Sequence, residues 1–139
     1  MDNIEQLNKK ILEVDAKNQL LFGLSCIYRT KSLYRLFEEE IKTDYYDCLE
    51  KYTKGTSSLN EIFKEMLLDV NENKKLNKNQ ATKYIKEISS FIPDWEDDSQ
   101  SFQSSIAIEI CLIFQTVINF HHTHNQKIIL DCTQHILEI

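Results

Sequence analysis

Residues 102–120 form an apolar stretch without a polar face. Ile106, Ala107, Ile108, Ile110, Cys111, Leu112, Ile113, Phe114, Val117 and Ile118 fall on every side of a helical wheel, and Glu109 is the one carboxylate among them. A surface helix shows an apolar stripe, whereas a helix that is apolar all round is one that others surround. The segment therefore predicts a helical bundle built about a central rod. It is also nearly long enough to cross a bilayer. Glu109, Gln115 and Asn119 interrupt it, however, and an acid at mid-span is costly. A buried core helix with no membrane partner is the expectation.

The rest of the chain agrees with an all-α class. Only two glycines and one proline occur in 139 residues, too few for the tight turns of a sandwich or a doubly wound sheet. That length suits one domain spanning residues 1–139, with no repeat or linker to divide it. Helical spacing places Ile4, Leu7, Ile11 and Val14 on a first helix ending near Asp15. Leu20, Leu21, Leu24 and Ile27 mark a second, in which Gly23 points to a close helix contact. Ser32 is positioned to cap a third helix carrying Leu33, Leu36, Phe37 and Ile41. A short fourth is expected over 44–52. Ser58 and Glu61 have capping-box spacing, so a fifth begins there, with Leu59, Ile62, Phe63, Met66, Leu67 and Val70 inward. A sixth runs over 78–91 with Ala81, Tyr84, Ile85 and Ile88 inward, stopped by Pro93. After the rod, a last helix is expected over 125–139. The expectation is a bundle of about seven to eight helices around the helix at 102–120.

Charge is distributed unevenly. Residues 1–90 hold 15 acidic and 15 basic side chains, while residues 91–139 hold 7 acidic and 1 basic, so the whole net charge of −6 lies in the last third. Asp94, Glu96, Asp97 and Asp98 concentrate it around Trp95. Such a run is either a solvated loop that aids solubility or a docking surface for a basic protein, with Trp95 as its aromatic anchor. It lacks the glycine and spaced ligands of an EF-hand. Nucleic acid is disfavoured as a partner: the acids repel it, and the lysines at 74, 75, 78, 83 and 86 have no interleaved stacking aromatics.

Two further features could carry chemistry. All four histidines, His121, His122, His124 and His135, lie within fifteen residues, with Cys132 one turn before His135. His, Cys and Asp ligands could hold zinc, although no His-Glu-x-x-His or paired-cysteine spacing occurs. No cofactor is implied. Glu109, a carboxylate in an apolar helix, either marks a site or bonds to a structural partner, for which Arg29 and Arg35 are the expected candidates. No nucleophile–base set or phosphate-cradling glycine loop is present, which leans against an enzyme. Cys26, Cys48, Cys111 and Cys132 sit among apolar neighbours, and the start Met1-Asp2-Asn3-Ile4-Glu5 lacks a signal-peptide pattern. Buried free thiols in a reducing cytoplasm are therefore expected.

Leu21-Phe22-Gly23-Leu24-Ser25-Cys26, then Arg29 and Tyr34-Arg35-Leu36-Phe37, resembles the amino-terminal helices of the YjaG-like bacterial proteins, a family of unknown function. Phe91-Ile92-Pro93-Asp94, the acidic run, and Ala107-Ile108-Glu109-Ile110-Cys111 are similar to that family's Ile-Pro, acidic linker and Ala-Ile-Asp-Ala-Cys helix. Glu109 and Ile110 depart from its usual Asp and small residue, as in a short or divergent member. The resemblance implies an all-helical fold and no catalytic residues. Three functions follow as expectations. The first is a cytoplasmic, non-enzymatic protein-binding module, such as an immunity protein neutralising a basic toxin. The second is a metal protein or metal-dependent enzyme using Glu109 and the histidines. The third is a homo-oligomeric helical scaffold.

Overall fold

The computed structural model describes residues 3–44, 52, 54–93 and 102–137. Among them the structure is all-helical. In order come α1 (Asn3–Glu13), α2 (Ala16–Thr30), a 3-10 turn (Lys31–Leu33), α3 (Tyr34–Asp44), α4 (Gly55–Asn71), α5 (Lys78–Ser89), α6 (Phe102–Thr123), α7 (Gln126–Ile129) and α8 (Asp131–Leu137). Six of these have at least 11 residues, slightly fewer than the expected seven to eight. The expected short helix at 44–52 falls mostly outside the described residues. The expected last helix is two short ones: Asn125 caps α7 by accepting from Lys127 N at 3.1 Å, and Thr133 bonds Leu130 O through both its hydroxyl, 2.7 Å, and its N–H, 3.2 Å.

Helix α6 is the expected rod. It packs against α2, α3, α5, α7 and α8, and Ala107, Ile110, Cys111, Ile113, Phe114, Val117, Ile118 and Phe120 are wholly buried. It is the one described helix long and apolar enough to cross a membrane by length and composition, and most of its apolar stretch is buried within the bundle. The sheath has a seam, however. Ser105, Ile108, Glu109, Leu112, Gln115 and Thr116 are half-buried and Asn119 is exposed, a set at three- and four-residue spacing.

Close approach to the rod depends on Gly23. A β-carbon there would lie 2.9 Å from Val117 Cγ2 and 3.0 Å from Ile129 Cδ1, so the glycine lets α2 seat on α6 and α7 together. Helix α1 behaves differently from its sequence pattern. Of the four positions expected inward only Ile11 is buried; Ile4, Leu7 and Val14 are about 40% exposed. Among the other elements α1 packs chiefly on α2, and one neighbour cannot cover a full stripe. Buried Gln19 ties the two helices by donating Nε2–H to Ile11 O at 3.0 Å.

Two expected helix starts move. Ser32 lies within the 3-10 turn rather than capping α3, so Tyr34 and Phe37 face the core while Leu36 is 43% exposed. Helix α4 starts at Gly55, ahead of the Ser58 capping box, because Glu38 of α3 accepts from Thr56 N at 2.7 Å. A carboxylate from a neighbouring helix here does the work of a local cap. The Tyr34 ring lies directly on Gly55, meets Phe37 and Phe91 edge-on, and donates its hydroxyl to Phe91 O at 2.6 Å. Together with buried Pro93 and Ser104, this bond anchors the chain on both sides of residues 94–101.

Candidate functional site

Three places gather the side chains that could carry function. The acidic run itself, Asp94, Trp95, Glu96, Asp97 and Asp98, lies outside the described residues. Its flanks do not: residues 91–93 are fixed on α3, and Ser104 begins the buried part of α6.

The second place is Glu109. Its Oε2 is 2.8 Å from His135 Nδ1 of α8, with both side chains about one quarter exposed. The expected arginine partners are elsewhere. Arg35 pairs with Glu39 on the solvent face of α3 at 3.2 Å, and Arg29 is exposed one turn after Cys26. The last third of the chain has a single lysine, so a carboxylate facing α8 could meet only a histidine as its basic partner.

The third place is the far end of the rod. Helix geometry sets His121 about 18 Å along the axis from Glu109, so the histidines of the proposed cluster divide between two ends. His121 is 1% exposed and sets Nε2 3.1 Å from Asp69 Oδ2 of α4. His122 Nδ1 lies 3.1 Å from Leu76 O and holds the α4–α5 loop to the rod. His124 ends α6 with φ 56°, its N–H bonded to Phe120 O at 2.7 Å. Burial lowers its pKa, and Lys75 and His121 push in the same direction. Cys132 is buried and unpaired, as are Cys26 and Cys111; Cys48 lies outside the described residues. Among the described residues no three His, Cys, Asp or Glu side chains converge on one point.

His121 and Asp69 border a cavity of about 150 Å³, rimmed by Lys17, Lys74, Lys75 and His124. Nδ1 of the buried His121 has no hydrogen-bond partner. The carboxylate can only accept, so Nε2 carries a proton. Nδ1 is then a bare acceptor in the neutral ring and a donor in the charged one. Asp69 and Lys17 did not stand out in the sequence, and Lys74 and Lys75 entered only as part of a local basic cluster weighed against nucleic acid. The one local signal was Asp69 at three residues beyond Met66 and beside Val70, on the edge of the apolar face of α4.

A second cavity, about 380 Å³ and mostly apolar, lies between α1, α2 and α8 and includes Ile4, Leu7, Phe22, Cys26, Arg29 and Ile136. Comparison of the chain with protein-family models, with curated proteins and with solved structures finds no match.

Proposed function

We propose that this chain is a protein-binding module of the bacterial cytoplasm whose partner presents a basic surface; an immunity-type protein occluding a basic toxin, such as a nuclease, is its concrete form. One observation carries the reading: the whole net charge of −6 falls within residues 91–139. A one-sided negative field draws a cationic partner into encounter. Phe91 and Pro93 before the run and Ser104 after it are buried, and Phe91 O accepts from the Tyr34 hydroxyl, which supports a docking segment that leaves and rejoins the chain close to the core. Trp95 supplies the aromatic group that interface centres favour. The resemblance to YjaG-like proteins is compatible with this reading and contributes no activity to it.

The test is binding to the product of the adjacent gene, with and without reversal of Asp94, Glu96, Asp97 and Asp98 to lysine. The expected result is an association rate at least tenfold lower for the reversed protein and loss of the steep salt dependence. Equal affinity of both proteins for every partner found overturns the proposal.

A homo-oligomeric scaffold is the second reading, favoured by the apolar groups left open on α1 and just past its end, where Ile4, Leu7, Leu12 and Val14 are each about 40% exposed. Solution mass by light scattering decides it: a multiple of 16.4 kDa that reverts to monomer in Leu7→Asp supports self-association through α1, and a monomer throughout overturns it.

A further inference from the structure

We infer that the cavity between α1, α2 and α8 binds a small aliphatic carboxylate, its apolar tail lodged between the helices and its acid group on Arg29. At about 380 Å³ the cavity falls within the range of about 300–1,000 Å³ that holds small ligands. Cys26, Thr30 and Thr133 are its most buried lining residues, and Ile4 and Leu7 of α1, Phe22 of α2 and Ile136 of α8 supply most of its apolar surface. Ile4 and Leu7 are each about 40% exposed, so the side formed by α1 stands open to a guest.

The hydroxyls of the lining are already engaged. Ser25 donates to Phe22 O at 2.8 Å and Thr30 to Cys26 O at 2.8 Å, while Thr133 gives its proton to Leu130 O at 2.7 Å or Asn8 Oδ1 at 3.1 Å. Each hydroxyl has one proton to give, so none is left to donate to a ligand. The Cys26 thiol adds no charge, because burial pushes it up to about 11. These groups therefore suit a tail that asks for no hydrogen bonds.

Arg29 is the exception. It is the one charged residue of the lining, with no Asp or Glu there to compete for it, and among the described residues its side chain forms no hydrogen bond or ion pair. Its charge is felt by the Cys26 thiol, which it pulls down against the effect of burial. A guanidinium offers a carboxylate two parallel N–H bonds, and apolar surroundings strengthen such a pair. Position then sets the shape of the ligand. Helices α1 and α2, joined only by Val14 and Asp15, form an antiparallel hairpin. Arg29 lies towards its open end, about 10 Å along α2 from Phe22. A molecule with an acidic head and an apolar tail of that length matches both ends. A cation would be repelled by Arg29, and an anion without a tail would leave the apolar groups in water.

The experiment is an NMR titration of the ¹⁵N-labelled full chain with decanoate, butanoate and decanol at matched ionic strength. Decanoate should shift the amides of residues 3–7, 22–30 and 133–136 in a saturable way. Butanoate, whose tail is too short to reach Phe22 from Arg29, should bind at least a hundredfold more weakly, since each buried methylene contributes about fourfold. Decanoate should also bind more tightly than decanol, although transfer to an apolar site alone favours the uncharged alcohol. Arg29→Gln, an exposed change expected to leave the fold intact, should weaken decanoate about tenfold and leave decanol unchanged, the equivalent of one charge-assisted hydrogen bond. No saturable shift at these residues with decanoate, tighter binding of decanol, or equal loss of both ligands in Arg29→Gln overturns the inference. So do shifts at residues 3–7 that grow with protein concentration in the ligand-free chain, the sign of a second copy seated over the groove.

Discussion

Tyr34 does three things at once: its ring fills the space over Gly55, it stacks edge-on with two phenylalanines, and its hydroxyl satisfies Phe91 O. Burial also holds its phenol well above the ordinary range. A β-carbon at position 55 would lie 2.2 Å from the ring, so Gly55→Ala should cost about 2–3 kcal/mol in urea unfolding despite the better helix propensity of alanine. Tyr34→Phe keeps the packing and orphans a buried carbonyl, which should cost about 1–3 kcal/mol. For Glu109 and His135 a double-mutant cycle to Gln and Ala should give a coupling of about 1 kcal/mol at neutral pH, the scale of a partly exposed pair. The position of Glu109 was legible because it stood alone in an apolar run. Its partner was not, since the meeting depends on where α8 turns back, and that turn is set by Leu130 and Thr133 rather than by any periodicity.

Among the elements, α6 and α1 mark the extremes. Ile113→Ala should cost about 2–5 kcal/mol, because the site is fully enclosed and cannot collapse. Leu7→Ala on α1 should change stability by no more than about 0.5 kcal/mol, since the side chain is already 42% exposed. Amide exchange should rank them likewise, with α1 opening at a lower free energy than α6. The rod could be read from composition alone, because no other element of a bundle tolerates apolar groups on nearly every side. Helix α1 shows the opposite case: its stripe has helical period, yet periodicity records amphipathicity and not the number of neighbours that cover it. The start of α4 was misplaced for a related reason. Its cap, Glu38, comes from another helix, beyond the reach of a rule written in sequence spacing.

For the molecule as a whole, the buried acids of weak strength set its response to alkali. Burial pushes the Cys26 thiol up to about 11, with Arg29 pulling the other way, and burial with the Glu65 contact pushes Tyr84 up to about 12. Cys111 and Cys132 are raised as well. Native protein therefore keeps protons that the unfolded chain releases near pH 9, so stability should be fully present below that value and fall as pH rises from about 9 towards 11. Melting temperature against pH checks this, and Cys26→Ala should make the decline shallower. On the acid side His124 has the reverse sign. Its lowered pKa means the unfolded chain binds the proton first, so it disfavours the fold as pH drops below about 6.5. The charge asymmetry was visible in the sequence, whereas the far cavity was not, since its walls come from residues 16–20, 69–75 and 121–124, three stretches that only the fold unites. The clasp between Tyr34 and Phe91 has a mechanical consequence for recognition. Flanks moored to the core leave a segment less freedom to lose on capture than a loose tail has; under the docking function proposed above, Tyr34→Phe should therefore weaken binding of a cationic partner even though no acid has been altered.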